Sequence, residues 1–259
     1  MPPSLTADVI PPTQRLMFPE PPACPASGAE APPDTGAEAP PAVSGPLKVV
    51  ADVALGAALL PVCLPLIAAA AAAVRLTTPG PAFYTQTRVG RGGRPFRIFK
   101  LRTMYHGCER ESGVRWSTPG DPRVTRVGAF LRRTHLDELP QLFNVLRLEM
   151  SLVGPRPERP EIIPSLEKAV PNYGARLLVR PGVTGLAQLR LPADTDIQSV
   201  RRKLAYDLHY IRTAGPWLDF RLIACTGLKV LGIPLDRVLR VCRVPGDRAV
   251  GIADDSDPR

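Results

Sequence analysis

From Val53 to Val74 the chain carries 22 consecutive residues without a charged side chain. At ~1.5 Å per residue a helix of that length would cover the roughly 30 Å of a bilayer core. The alternative is a buried helix of a soluble domain, but so long an uncharged run favours insertion. Pro61 and Pro65 interrupt it. Each removes a backbone donor and crowds the preceding turn, so a kink is expected. Hydrocarbon tolerates a kink when the freed carbonyls find partners. Two topologies follow: a kinked helix that spans the bilayer, or one that bends at Pro65 and returns to the side it entered from. Arg75, Arg88, Arg91, Arg94, Arg97, Lys100 and Arg102 follow the run, whereas only Lys48 closely precedes it. The positive-inside rule puts the C-terminal body in the cytoplasm in either case.

Lys and Arg number 33 against 24 Asp and Glu, giving +9 and a pI near 9.8. That balance suits a nucleic acid, an anionic membrane surface or a phosphorylated substrate. An aromatic content of 5% counts against a base-stacking single-strand binder. Cys24, Cys63, Cys108, Cys225 and Cys242 are odd in number and show no C-x-x-C spacing, which fits a reducing compartment without a zinc site. His106, His135 and His209 have no ligand spacing. Residues 1–45 are rich in Pro and Ala, lack apolar periodicity and are expected to be disordered. They do not have the form of a secretory signal.

Beyond the run, Ala82–Gln86 and Pro95–Met104 alternate like strands, and the turn Gly90-Arg-Gly-Gly93 joins them in a hairpin. Residues 107–123 are polar and read as a mobile loop. Val127, Phe130, Leu131, Leu139, Leu142, Phe143 and Leu146 recur at helical spacing. Val200–Thr213 and Trp217–Val241 read as two helices. The second is basic and amphipathic, suited either to a membrane surface or to the core. The expected layout is a tail (1–45), a membrane helix (46–76), a cytoplasmic catalytic domain (77–243) and a solvated end (244–259).

Asp137 and Glu138 stand in one of the most basic stretches, with Arg132 and Arg133 before them and Arg147, Arg156 and Arg159 after. Pro140 suits a first helical turn, which puts the two carboxylates at or near a helix N-terminus. Carboxylates ringed by arginines fit a site for a metal ion together with phosphates. A surface acidic pair in salt bridges is the plain alternative.

Residues 46–232 resemble the bacterial sugar transferase family, the monotopic polyprenyl-phosphate phosphoglycosyl transferases. The resemblance rests on ordered motifs. They are Leu47-Lys-Val-Val-Ala-Asp52, Gln86-Thr-Arg-Val-Gly90, Phe96-Arg-Ile-Phe-Lys-Leu-Arg-Thr-Met104 and Asp121-Pro-Arg-Val-Thr-Arg-Val-Gly128. Leu136-Asp-Glu-Leu-Pro-Gln141, Asn144-Val-Leu146 and Met150-Ser-Leu-Val-Gly-Pro-Arg-Pro157 follow. Arg180-Pro-Gly-Val-Thr-Gly-Leu-Ala-Gln188, Asp207-Leu-His-Tyr-Ile211 and Leu218-Asp219 complete the set. The resemblance implies an α+β, mainly helical monotopic membrane protein. Its parts would be a re-entrant helix broken at a Ser-Pro pair, a short β-hairpin and interfacial amphipathic helices. Here Pro65 follows Leu64, not a serine. Leu148 stands where the family usually has glycine. Leu189-Arg-Leu-Pro192 stands where Val-Asn-Gly-Arg is common, leaving Arg190 as the arginine nearest the expected place.

The resemblance also implies a reaction. A sugar 1-phosphate passes from a UDP-sugar to undecaprenyl phosphate, UMP leaves, and glycan synthesis begins (exopolysaccharide, capsule, O-antigen or glycoprotein glycan). Asp137 matches the nucleophile and Glu138 the Mg2+ ligand. Asp219 matches an acid that orients or shares the metal site. Lys100, Arg102, Arg132 and Arg156 are expected around the diphosphate. The implied partners are the UDP-sugar, undecaprenyl phosphate and inner-membrane lipid, with no nucleic acid; self-association is left open. The implied place is the cytoplasmic membrane, with the catalytic domain facing the cytoplasm. Two alternatives stand beside this one: a membrane-anchored nucleic-acid binder, and a non-catalytic scaffold.

Overall fold

The structure, a computed structural model, describes residues 41–108, 117–118, 120–194 and 196–252. The tail expected to be disordered over 1–45 lies outside them up to residue 40, as does most of the loop expected over 107–123. The last residues of the tail are instead ordered, as a short helix Pro41–Ser44 with Val43 buried in the core. Helix α1 spans Pro46–Thr77, 32 residues, and continues across both Pro61 and Pro65. Pro46 sits in its first turn, where a missing N–H costs nothing. Asp52, Gly56, Ile67, Ala70 and Val74 are buried along it. Leu59, Leu60 and Cys63 are half-buried between them. These positions recur at steps of three and four, so a single stripe of the helix rests on the body from one end to the other. Val62, Leu64 and Leu66 are exposed. Its most apolar window has a mean hydropathy of 2.3 yet is only 17% buried, unlike the core helix of a soluble protein. By length and composition α1 could cross a membrane.

A polar latch fixes the start of α1. Lys48 Nζ donates to Asp219 Oδ2 at 2.7 Å. Tyr210 Oη donates to Asp219 Oδ1 at 2.7 Å. Ser151 Oγ lies 2.7 Å from Asp52 Oδ2.

The hairpin forms from β1 (Phe83–Val89) and β2 (Pro95–Leu101), antiparallel from Phe83 opposite Leu101 to Val89 opposite Pro95. The first strand runs past the expected Gln86, because Thr87 and Arg88 pair with Arg97 and Phe96 before the glycines close the turn. Asp121 then takes the Arg123 guanidinium at 2.6–3.1 Å. Thr125 caps helix α2 (Arg126–Thr134) by accepting from Gly128 N at 2.9 Å. Gly128 lies hard against β2's continuation: a Cβ there would come within 1.9 Å of Thr103 O. Gly128→Ala is therefore expected to cost about 3 kcal/mol by forced backbone displacement, read as a drop in thermal midpoint in detergent. An unchanged midpoint would show that α2 does not pack this closely.

Helix α3 (Gln141–Leu146) and strand β3 (Ser151–Val153) follow. β3 pairs in parallel with β4 (Gly182–Thr184). The backbones meet so closely that a Cβ on Gly182 would lie 2.0 Å from Gly154 N, which accounts for the glycines of both motifs. Helices α4 (Ile163–Ala169), α5 (Leu186–Arg190), α6 (Ile197–Thr213) and α7 (Pro216–Val230) build the remainder. Tyr206, Tyr210, Val145, Val153, Leu186 and Leu222 form the centre of the core.

Two expectations change here. The helix expected over Trp217–Val241 divides, because Gly232 takes φ 84° and Pro234 cannot continue it; α8 (Leu235–Val241) begins anew. Residues 244–252, expected in solvent, lie against the body. Val244 is buried, and Asp247 Oδ1 accepts from Tyr206 Oη at 3.0 Å and pairs with Arg202 at 3.1 Å.

Candidate active site

Helix α2 ends at His135, whose φ of 58° turns the chain back. A 3-10 turn, Leu136–Glu138, follows at once. Leu136 and Leu139 pack against the cluster of Ile67, Leu101 and Leu131. Asp137, between them, is only 8% exposed. The carboxylates thus lie in the turn between α2 and α3, before the second helix begins. Asn144 sets β2 beside them: its Oδ1 accepts from Phe99 N at 3.0 Å and its Nδ2 donates to Arg97 O at 2.7 Å. Lys100, next along, reaches Glu138. Arg156 arrives from the turn after β3. Its carbonyl accepts from Arg176 at 2.8 Å, and the following Pro157 carbonyl accepts from Arg88 at 3.1 Å.

The two carboxylates have different surroundings. Glu138 Oε1 takes Lys100 Nζ at 2.8 Å and Arg156 at 2.6 Å, and Oε2 takes Arg156 at 3.3 Å. Burial alone would raise its pKa, but these two cations hold it well below the usual carboxylate range. Asp137 is pushed up to about 6, by burial first and by Glu138 second, against the pull of Lys100, Arg156 and Arg132. Among the described residues no donor bonds its carboxylate. Adjacent acids separated in this way can take separate roles, one structural and ionised, the other available to react.

Of the expected phosphate ligands, Lys100, Arg132 and Arg156 come together around the acids. Arg132 is steered by Thr103 Oγ1 at 2.9 Å and Ser117 Oγ at 2.7 Å. Arg102 does not join them. Its guanidinium is buried and bonds Thr78 O at 2.9 Å, Thr78 Oγ1 at 2.8 Å and the Pro79 carbonyl, fastening the chain where α1 ends. Asp219 is likewise absent from the site: both its oxygens serve the latch with Lys48 and Tyr210. Arg190 bonds the carbonyls of Val244 and Pro245 and is no stand-in for a sugar-phosphate arginine.

Two residues at the site escaped the sequence reading. Lys229 Nζ lies 3.5 Å from His135 Nε2, across from Glu138. Lys229 looked like part of a polar helix face. A signal was present in the register: Leu218, Leu222 and Cys225 are the buried positions of α7, and Lys229 is the next at +4.

For a metal, the described residues offer no group of three His, Cys, Asp or Glu side chains. An all-protein cage of the zinc or calcium kind is thus not formed by them. Magnesium is commonly held by one or two carboxylates with waters and substrate phosphates; Glu138 stays ionised as such a ligand must, and would share an oxygen with Lys100 or Arg156 to join that set.

Residues 43–232 match the bacterial sugar transferase family. A UDP-glucose:undecaprenyl-phosphate glucose-1-phosphate transferase from Caulobacter vibrioides is 48% identical over 183 residues, 69% of this chain and 67% of that protein. One of the same description from Xanthomonas campestris pv. campestris is 44% identical over 170 residues, 65% of this chain and 35% of its own length. A UDP-N-acetylgalactosamine-undecaprenyl-phosphate N-acetylgalactosaminephosphotransferase from Aeromonas hydrophila is 42% identical over 164 residues, 63% of this chain and 38% of its own. The chain therefore spans little more than a third of the last two proteins. Motif order, site geometry and a match over most of its length agree: this chain belongs to the bacterial sugar transferase family.

Proposed function

We propose that the protein transfers a sugar 1-phosphate from a UDP-sugar to undecaprenyl phosphate, at the cytoplasmic face of the membrane. The observation that carries this is the division of labour between two adjacent acids: Glu138 clamped by Lys100 and Arg156, Asp137 buried beside it with no hydrogen-bond donor among the described residues. A buried carboxylate without a donor is under-solvated and nucleophilic once ionised, and it needs no separate base. A carboxylate oxygen of Asp137 attacks the sugar-bearing phosphorus. The bond from that phosphorus to the oxygen bridging to UMP breaks, and UMP departs. A phosphate oxygen of the lipid then attacks the same phosphorus, and Asp137 leaves as a free carboxylate. Arg132 and Arg156 hold the diphosphate oxygens, since a guanidinium can grip a phosphate with two parallel bonds. Magnesium bound at Glu138 and the substrate phosphates would offset the negative charge that grows as UMP leaves.

The unbroken stripe of α1 supports a monotopic placement over a spanning one. Buried or half-buried positions recur from Asp52 to Val74, so one face of α1 stays on the body along its length. The relatives' names include glucose and N-acetylgalactosamine, so the sugar is what a panel must decide.

The test is to incubate purified protein in detergent with undecaprenyl phosphate, Mg2+ and a panel of UDP-sugars, and to measure UMP. One sugar is expected to give sustained release that depends on the lipid. Excess EDTA is expected to lower the rate by at least about a hundredfold, as loss of a charge-stabilising ion at a phosphoryl centre does, and added Mg2+ to restore it. No UMP from any donor would overturn the proposal; EDTA-resistant turnover would remove magnesium from it.

A further inference from the structure

Most cations around the two acids already have a partner of matching charge or polarity. Lys100 and Arg156 hold Glu138, and Arg132 is directed by two hydroxyls. Lys229 differs. It is half-buried, has no acid partner among the described residues, and its one polar contact is the His135 ring. It is turned inward because it continues the core-facing register of Leu218, Leu222 and Cys225. Burial lowers its pKa and Glu138 opposes that shift, as expected of an ammonium brought near the acids without a counter-ion of its own. Such a group is poised for an anion that arrives with a substrate.

The same helix shows which substrate. Trp217 and Phe220 are 69% and 61% exposed and stack at 5.7 Å, and Leu231, just past Lys229, is 79% exposed. An indole and a benzyl ring left in the open, on a protein with a long exposed apolar helix, suit the headgroup zone of a bilayer. Lys229 is thus carried by an element that turns one face toward the carboxylates and leaves Trp217 and Phe220 exposed on another. A nucleotide sugar reaches the site from water, whereas a polyprenyl phosphate reaches it from lipid.

Taking the proposed transferase reaction as its basis, we infer that Lys229 is the cation that receives the phosphate of the polyprenyl acceptor, while Arg132 and Arg156 serve the donor diphosphate. Lys229 touches the acceptor and not the leaving UMP, so it acts in the second transfer alone.

Ping-pong kinetics separate the two transfers. In such a scheme kcat/KM for the UDP-sugar reports attack by Asp137, and kcat/KM for undecaprenyl phosphate reports the second step. Lys229→Ala is expected to lower the acceptor kcat/KM by at least about tenfold, as loss of a charge-assisted phosphate contact does, and the donor kcat/KM by less than about threefold. Lys229→Arg is expected to recover most of the acceptor value. Lys229→Met, which keeps most of the apolar stem, is read in the same way and guards against a packing defect. Equal losses on both substrates, or an unchanged acceptor kcat/KM, would overturn the assignment. A wild-type protein that releases no UMP overturns the transferase proposal itself, whereas wild-type turnover beside an unaffected Lys229→Ala overturns only the role of Lys229.

Discussion

Asp137→Asn is expected to abolish lipid-dependent UMP release, with turnover reduced on the order of 10^4-fold, the scale seen when a covalent nucleophile is removed. The same substitution is expected to make the protein more stable. Asp137 has its ordinary pKa of 3.8 raised to about 6 by burial and by Glu138. The folded state therefore holds that proton more tightly than the unfolded state. Between pH 3.8 and about 6 the folded form carries more protons, so the wild type loses stability as pH rises through this window. Above it the full cost of an ionised buried acid is present, on the order of 3 kcal/mol. Asparagine removes that cost. At pH 8 the variant should melt above the wild type, and the advantage should shrink as pH falls below 6. Activity should follow the opposite course, since only the ionised Asp137 attacks: wild-type donor kcat/KM should rise through about pH 6 and level off. An Asp137→Asn protein that turns over normally would refute the chemistry assigned to this acid, and one that melts lower at pH 8 would refute the electrostatics.

The second large effect lies away from the carboxylates. Arg176 is 4% exposed, forms an ion pair with Asp207 at 2.8 Å, donates to Tyr173 Oη at 2.6 Å and supports the Arg156 carbonyl at 2.8 Å. Glu158, 3.9 Å away, shares Lys203 at 3.4 Å. Removing one cation from such a network leaves buried anions without compensation, which costs about 3–5 kcal/mol. Arg176→Met is expected to lose stability on that scale, and the protein that remains folded should be slower because Arg156 loses its backbone support. Arg176→Met combined with Asp207→Leu, which removes the stranded charge as well, should be less damaging than Arg176→Met alone. Thermal midpoints of the two variants compared with wild type decide this. A harmless Arg176→Met would mean that the network does not hold the turn bearing Arg156.

The sequence exposed features that depend on neighbours along the chain. Alternation and a glycine turn gave the hairpin, and period-3.6 spacing gave the helices around Asp137 and Glu138. It failed where the outcome depended on distant partners. Arg102 and Arg132 are alike on paper, but Arg102 is claimed by carbonyls at Thr78 and Pro79, which only the packed chain brings near. Asp219 sits in a family motif, yet Lys48, far away in sequence, takes one of its oxygens. Lys229 was visible in register but not in direction, because a basic residue near a helix end is usually solvated. The break at Gly232 was hidden by leucines that continue the apolar pattern across it.

The stripe that binds α1 to the body has a mechanical consequence. A helix fastened at Lys48 and again at Val74 must break the bond to Asp219 or the packing of Val74 to slide by itself. On the proposed membrane placement, anchor and catalyst form one keel. When the surrounding lipid thickens or thins, the whole molecule must ride higher or lower, and the depth at which its acids wait is set by the hull, not by a hinge.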